Sequence, residues 1–217
     1  MDTKAIQKGK KKMTIDTFNT SIWQYYLQLE NDFYATLNFV EFSDDNFSVF
    51  SKEYSKQLLS ICSEIDIVFK QICELVDSSK ERKNITDYAN ILTSYEGLTS
   101  AKVRFLLNQN EFVPFDNWTQ NHSPSWWKDY NLVKHSRLDD DNYKKGNLKN
   151  VFTSLAALYI LNRYLCRIVS QHKRWLKEPT IKSKLFEMVG WESCIPIGNG
   201  FVQVLHSNGG ISVDFDG

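Results

Sequence analysis

The chain has 217 residues, room for one domain or one domain with an appendage. Lys plus Arg and Asp plus Glu stand at 26 each, so no global charge draws it to nucleic acid or to a membrane surface, and any such contact needs a local patch. With 42% hydrophobic and 14% aromatic residues, a substantial core is available and a disordered chain is excluded.

Cys62, Cys73, Cys166 and Cys194 are scattered, with no C-x-x-C pair, and the first three fall among apolar residues. Reduced, buried thiols of a cytoplasmic protein are expected. The four His form no tight cluster with them, so no metal is expected. No run is long and apolar enough to span a membrane. The opening "MDTKAIQKGKKKM" carries charge with no apolar stretch behind it, so no secretory signal is expected.

Residues 1–13 read as a flexible basic arm. A first helix is predicted from about Thr17 to Glu41, with Trp23, Tyr26, Leu27, Phe33, Leu37 and Val40 forming its apolar stripe. Ser51 caps a second, in which Leu58, Ile61, Cys62, Ile65, Phe69, Ile72, Cys73 and Val76 recur at helical steps. Asp66 and Lys70 stand four apart as a surface pair, while Glu64, among core positions, is either solvated or turned inward. A shorter helix capped by Thr86 follows the polar "DSSKERKN". "AKVRFLLNQNEFVPF" is either a short hairpin or an ordered loop.

Ser123 and Pro124 supply the cap and first position of a helix carrying "SWWKDYNLVKHSR". The most apolar helix follows over 147–172, with its "LAALYIL" centre buried on nearly all sides. Beyond Pro179, "SKLFEMVGW" is a short helix at most, and alternating residues between Asn/Gly turns predict a small antiparallel meander. "GNG" there is turn chemistry rather than a phosphate loop, so no cofactor is expected. The fold class is mainly α: an antiparallel helical bundle over 14–177 and a β appendage over 178–217. Leu58, Ile65, Phe69, Leu155, Leu158 and Leu165 should be buried.

On the helix of 124–137, residues advance about 100° each. With Asn131 at the front, His135 lies about 40° to one side and Lys134 about 60° to the other. Lys128 and Trp127 join that arc, and Trp126, Tyr130, Val133 and Arg137 cluster beside it. Cleaving RNA without a metal needs a base for the ribose 2′-hydroxyl, a cation for the phosphorane and donors that hold the phosphate in line. His135 titrates in the right range, Lys134 and Arg137 carry positive charge, and Asn131 can position a phosphate oxygen or the imidazole.

The segment "SPSWWKDYNLVKHSR", followed by "GNLKNVFTSLAALYIL", resembles a group of bacterial proteins with W-W-x-x-Y-N-x-x-K-H-x-R before an apolar helix. "FSKEYSKQLLSICSEIDIVFKQIC" resembles the same group. The group looks like a divergent branch of the HEPN superfamily, helical bundles that are often dimers and frequently RNases of toxin–antitoxin, abortive-infection and phage-defence systems. The superfamily signature sets Arg before a polar residue and, a few residues on, His. Asn131 and His135 match the last two, whereas Tyr130 stands where the Arg would be. The resemblance implies a metal-independent ribonuclease with catalytic His135, Asn131, Lys134 and Arg137, and with RNA contacts from Lys128, Tyr130 and Trp127. It also implies a homodimer with this helix near the two-fold axis and a partner from a defence system. The other reading is a catalytically inactive HEPN-like module that dimerises or binds a partner through the same helix.

Overall fold

The computed structural model describes residues 13–170, 178–179, 181–197, 200–207 and 210–215, with side chains as far as Trp191. The basic arm, apart from Met13, lies outside the described residues. The protein is mainly helical, and among the described residues no helix is long and apolar enough to cross a membrane.

The first rod runs through α1 (Ile15–Thr17), a π-helical stretch (Phe18–Trp23) and α2 (Gln24–Thr36). It stops short of the expected Glu41 because side chains capture its last carbonyls. Thr36 Oγ1 donates to the Phe33 carbonyl at 2.6 Å and Asn38 Nδ2 to that of Ala35 at 3.1 Å. Helix α3 (Lys52–Val76) is capped as expected, Ser51 Oγ accepting from the Tyr54 N–H at 2.9 Å. Helix α4 (Ile85–Leu92) is capped by Asn84 instead of Thr86, since Asn84 Oδ1 accepts the N–H groups of Thr86 and Asp87. "AKVRFLLNQNEFVPF" resolves to a hairpin of β1 (Val103–Phe105) and β2 (Glu111–Phe112). Helices α5 (Ser125–His135) and α6 (Leu148–Val169) complete the body, with Asn147 capping α6.

The expected all-antiparallel bundle needs correction. The Ser51 N–H donates to the Gly146 carbonyl (3.2 Å) and the Leu148 N–H to that of Val49 (2.9 Å), so α3 and α6 start side by side. Further along, the Cys62 thiol meets the Ser154 side chain, so the two long helices run in the same direction. The connection from 77 to 147 holds α4, the hairpin and α5, enough chain to return to the starting end. Helix α2 is antiparallel to both: Tyr26 lies against Tyr159 and Phe33 against Phe152, while Gln57 Nε2 donates to the Asp32 carbonyl. The α6 centre is buried throughout, and Leu58, Ile65, Phe69, Leu155, Leu158 and Leu165 are all fully enclosed. Cys62, Cys73 and Cys166 are buried.

"SKLFEMVGW" is not helical. Strand β3 (Phe186–Met188) joins β1 in antiparallel register, Val103 opposite Met188 and Phe105 opposite Phe186. Phe186 and Met188 alternate with half-buried Glu187, and together with Leu185 they enter the same core as the helices. The C-terminal meander appears as β4 (Glu192–Ile197), β5 (Gly200–Ser207) and β6 (Gly210–Phe215), paired antiparallel in that order.

Candidate functional site on helix α5

One face of α5 is committed to the core. Trp126 is 1% exposed and donates Nε1–H to the Pro114 carbonyl at 2.8 Å. Trp127 packs edge-on to Phe69 of α3 (6.3 Å between centroids) and against Trp126 and Tyr130. Val133 completes the buried stripe. On the flank, Asp129 accepts from Asn150 Nδ2 of α6 (2.9 Å) and pairs with Lys145 (3.3 Å). These contacts fix both the position and the rotation of the helix.

Its ends differ from expectation. Pro124 occupies the cap position, no side chain caps the helix, and the Pro124 carbonyl accepts the N–H groups of Trp127 and Lys128. At the other end the Ser136 N–H returns to the Leu132 carbonyl and Asn142 Nδ2 holds the Ser136 carbonyl. Arg137 therefore lies beyond the helix. Lys134 and His135 sit in the last turn, where the helix dipole favours cations.

The exposed face carries Lys128 and His135, with half-buried Asn131 between them. Asn131 Nδ2 donates to the Trp127 carbonyl at 2.9 Å, a bond within its own helix. Lys134 is exposed and leans over the Tyr130 ring, 5.5 Å from its centroid. Arg137 is exposed, and among the described residues the side chains of Lys128, His135 and Arg137 make no hydrogen bond or ion pair. Trp127 and Tyr130, expected as substrate contacts, are 7% and 5% exposed. They share the helical face of Trp126 and Val133, and packing claims their rings. Among the described residues, no three His, Cys, Asp or Glu gather as a metal site requires.

Two buried polar centres escape the sequence reading. Glu30 is 1% exposed and accepts from the Tyr26 hydroxyl (2.7 Å) and from the N–H groups of Lys184 and Leu185. Its position four residues after Tyr26 on the apolar stripe was the available signal. Arg163, buried on α6, donates to the Tyr159 hydroxyl (3.2 Å) and to Glu178 (3.3 Å). Glu64 turns inward on α3, and burial raises its carboxyl pKa.

Comparison of the chain with family models, with curated proteins and with solved structures finds no match.

Proposed function

We propose that this is a HEPN-like cytoplasmic protein directed at RNA, a metal-independent endoribonuclease of a phage-defence or toxin–antitoxin system. The observation that supports this reading is the two-sided character of α5. Two tryptophans lock one side, while Lys128, His135 and, past the helix end, Arg137 are exposed with their polar groups unengaged among the described residues.

In this reading His135 removes the ribose 2′-hydroxyl proton as the 2′-oxygen attacks phosphorus. Lys134 and Arg137 offset the phosphorane charge, Asn131 orients the phosphate and Lys128 holds the neighbouring backbone. The departing 5′-oxygen needs a proton, and one copy offers one imidazole on this face. A homodimer with α5 near its two-fold axis brings a second His135 as the acid.

Tyr130 favours a second reading. It stands at the signature Arg position and is buried, as a catalytically inactive module that dimerises or engages a partner through α5 would allow. Purified protein incubated with total RNA in EDTA separates the two. The leading reading expects cleavage that His135→Ala abolishes at unchanged melting temperature. RNA left intact by a folded dimer would establish the inactive module instead.

A further inference from the structure

Where α3 and α6 start side by side, Phe50 stands opposite Asn147 in an antiparallel bridge. Alternation along that extended piece sends Val49 to the core and Phe50 outward, 44% exposed, where a polar residue is the usual occupant. Tyr143, in the 3₁₀ turn Asn142–Lys145 ahead of α6, is 40% exposed. The two rings meet edge to face with centroids 5.5 Å apart. In such a pair one ring covers only one face of the other, and both keep surface open to solvent. The backbone bonds of Ser51 to Gly146 and of Leu148 to Val49 hold the pair in place.

Cations surround these rings. Lys144 Nζ lies 5.7 Å from the centroid of the Tyr143 ring. Lys52 and Lys149, in the first turns of α3 and α6, are exposed, and their ammonium groups have no ion pair among the described residues. Of the acids close by in sequence, Glu53 pairs with Lys56 and Asp141 with Lys144. Asp139 and Asp140 are exposed and unpaired, but the unpaired Lys52, Lys134, Arg137 and Lys149 outnumber them among the described residues. The turn is also tied to α5, since Asn142 Nδ2 donates to the Ser136 carbonyl at 3.0 Å. The exposed pair therefore adjoins the helix end that carries Lys134 and His135.

We propose that Phe50 and Tyr143 form a stacking platform for the bases of single-stranded RNA, with Lys52, Lys144 and Lys149 along its phosphates. The inference rests on the RNA reading of α5 and deepens it: the platform selects unpaired RNA and leads the strand to His135. Aromatic faces take any base but only one that is free to leave its own stack, so a duplex, whose base faces are hidden, gains nothing there.

Fluorescence anisotropy of the full chain with a labelled 2′-O-methyl dodecanucleotide tests this, because that probe has no 2′-hydroxyl to be cleaved through. The single strand should bind at least roughly fivefold tighter than the same sequence annealed to its complement. Phe50→Ala and Tyr143→Ala should each weaken the single strand at least roughly fivefold, at a melting temperature close to the parent's. Phe50→Trp keeps a stacking face and should restore the parent's affinity. Unchanged affinity in folded Phe50→Ala and Tyr143→Ala, or equal binding of the duplex, would overturn the platform and leave the α5 reading standing. A fall in mass by light scattering in those variants, with RNA affinity intact, would overturn it in favour of a contact with a second copy. No binding by the parent up to about 0.1 mM would sink the platform and the RNA reading together.

Discussion

The Glu30 carboxylate on α2 accepts the backbone N–H of Lys184 at 3.0 Å, tying the helical body to a segment far along the chain. The same carboxylate takes the Leu185 N–H at 3.3 Å, the Tyr26 hydroxyl at 2.7 Å and the Ser183 hydroxyl. Glu30→Ala leaves these donors buried without an acceptor and should cost about 3 kcal/mol or more. Urea unfolding measures it, and a midpoint equal to the parent's would show that the clasp contributes nothing.

Gly146 lets the start of α6 lie against the first turn of α3. A Cβ there would sit 2.7 Å from the Ser55 Cα, a backbone atom that cannot swing aside. Gly146→Ala should therefore destabilise by about 1–3 kcal/mol by forcing the two N-termini apart. An unchanged unfolding midpoint would mean that the 47–51 and 146–149 strap is slack.

Buried thiols and phenols make the fold sensitive to alkali. Burial pushes Cys166 up to about 11 and Cys73 up to about 12 from 9.0, and Tyr164 up to about 12 from 10.0. Cys62 and Tyr26 are raised well above their ordinary values, chiefly by burial, with the Glu30 charge adding to Tyr26. In the unfolded chain these groups ionise first, so their stabilisation is complete below about pH 9 and is lost as pH climbs through the folded values. The melting temperature should fall steadily between pH 9 and about 11. A flat profile there would contradict the burial of these groups.

Glu64 works in the opposite part of the scale. Burial raises its folded pKa above 4.5, so protonation favours the fold and ionisation at neutral pH opposes it. Glu64→Gln should raise the melting temperature at pH 7 and bring little change at pH 4. An equal gain at both values would trace the effect to shape and not to charge.

The long helices were legible because each carries a dense apolar stripe with a side-chain cap, as with Ser51 ahead of Leu58, Ile65 and Phe69. The stripe set Trp126 beside Val133, whereas Trp127, placed by phase on the polar arc, turns inward against Phe69. What the stripe does not encode is direction. The parallel course of α3 and α6 depends on backbone bonds between 47–51 and 146–149, segments far apart in sequence. Strand β3 was hidden for a similar reason. "LFEM" is too short for periodicity, and its strand character comes from pairing with Val103–Phe105. Exposure of Lys128, Lys134 and His135 follows from helix phase, whereas Arg137 shares the phase of Trp126 and Val133 and is exposed because it lies past the end of α5. The return of the Asn131 amide to the Trp127 carbonyl is a rotamer choice that phase alone leaves open.

The two faces of α5 should separate in mutagenesis. Trp127 is buried against Phe69 and Tyr130, so Trp127→Ala should cost about 3–5 kcal/mol through the cavity it leaves. Lys128 is exposed and unpaired among the described residues, so Lys128→Glu should leave the melting temperature unchanged. If the exposed face meets RNA, that charge reversal weakens binding and flattens its salt dependence, because a lysine on a phosphate releases a counterion when it binds. Fluorescence anisotropy with a labelled single-stranded RNA across a salt series reads both quantities. An unaltered salt slope in folded Lys128→Glu would remove Lys128 from any RNA-binding face. The same slope from a Lys128→Glu, Lys134→Glu double variant would exclude α5 as the RNA-binding helix.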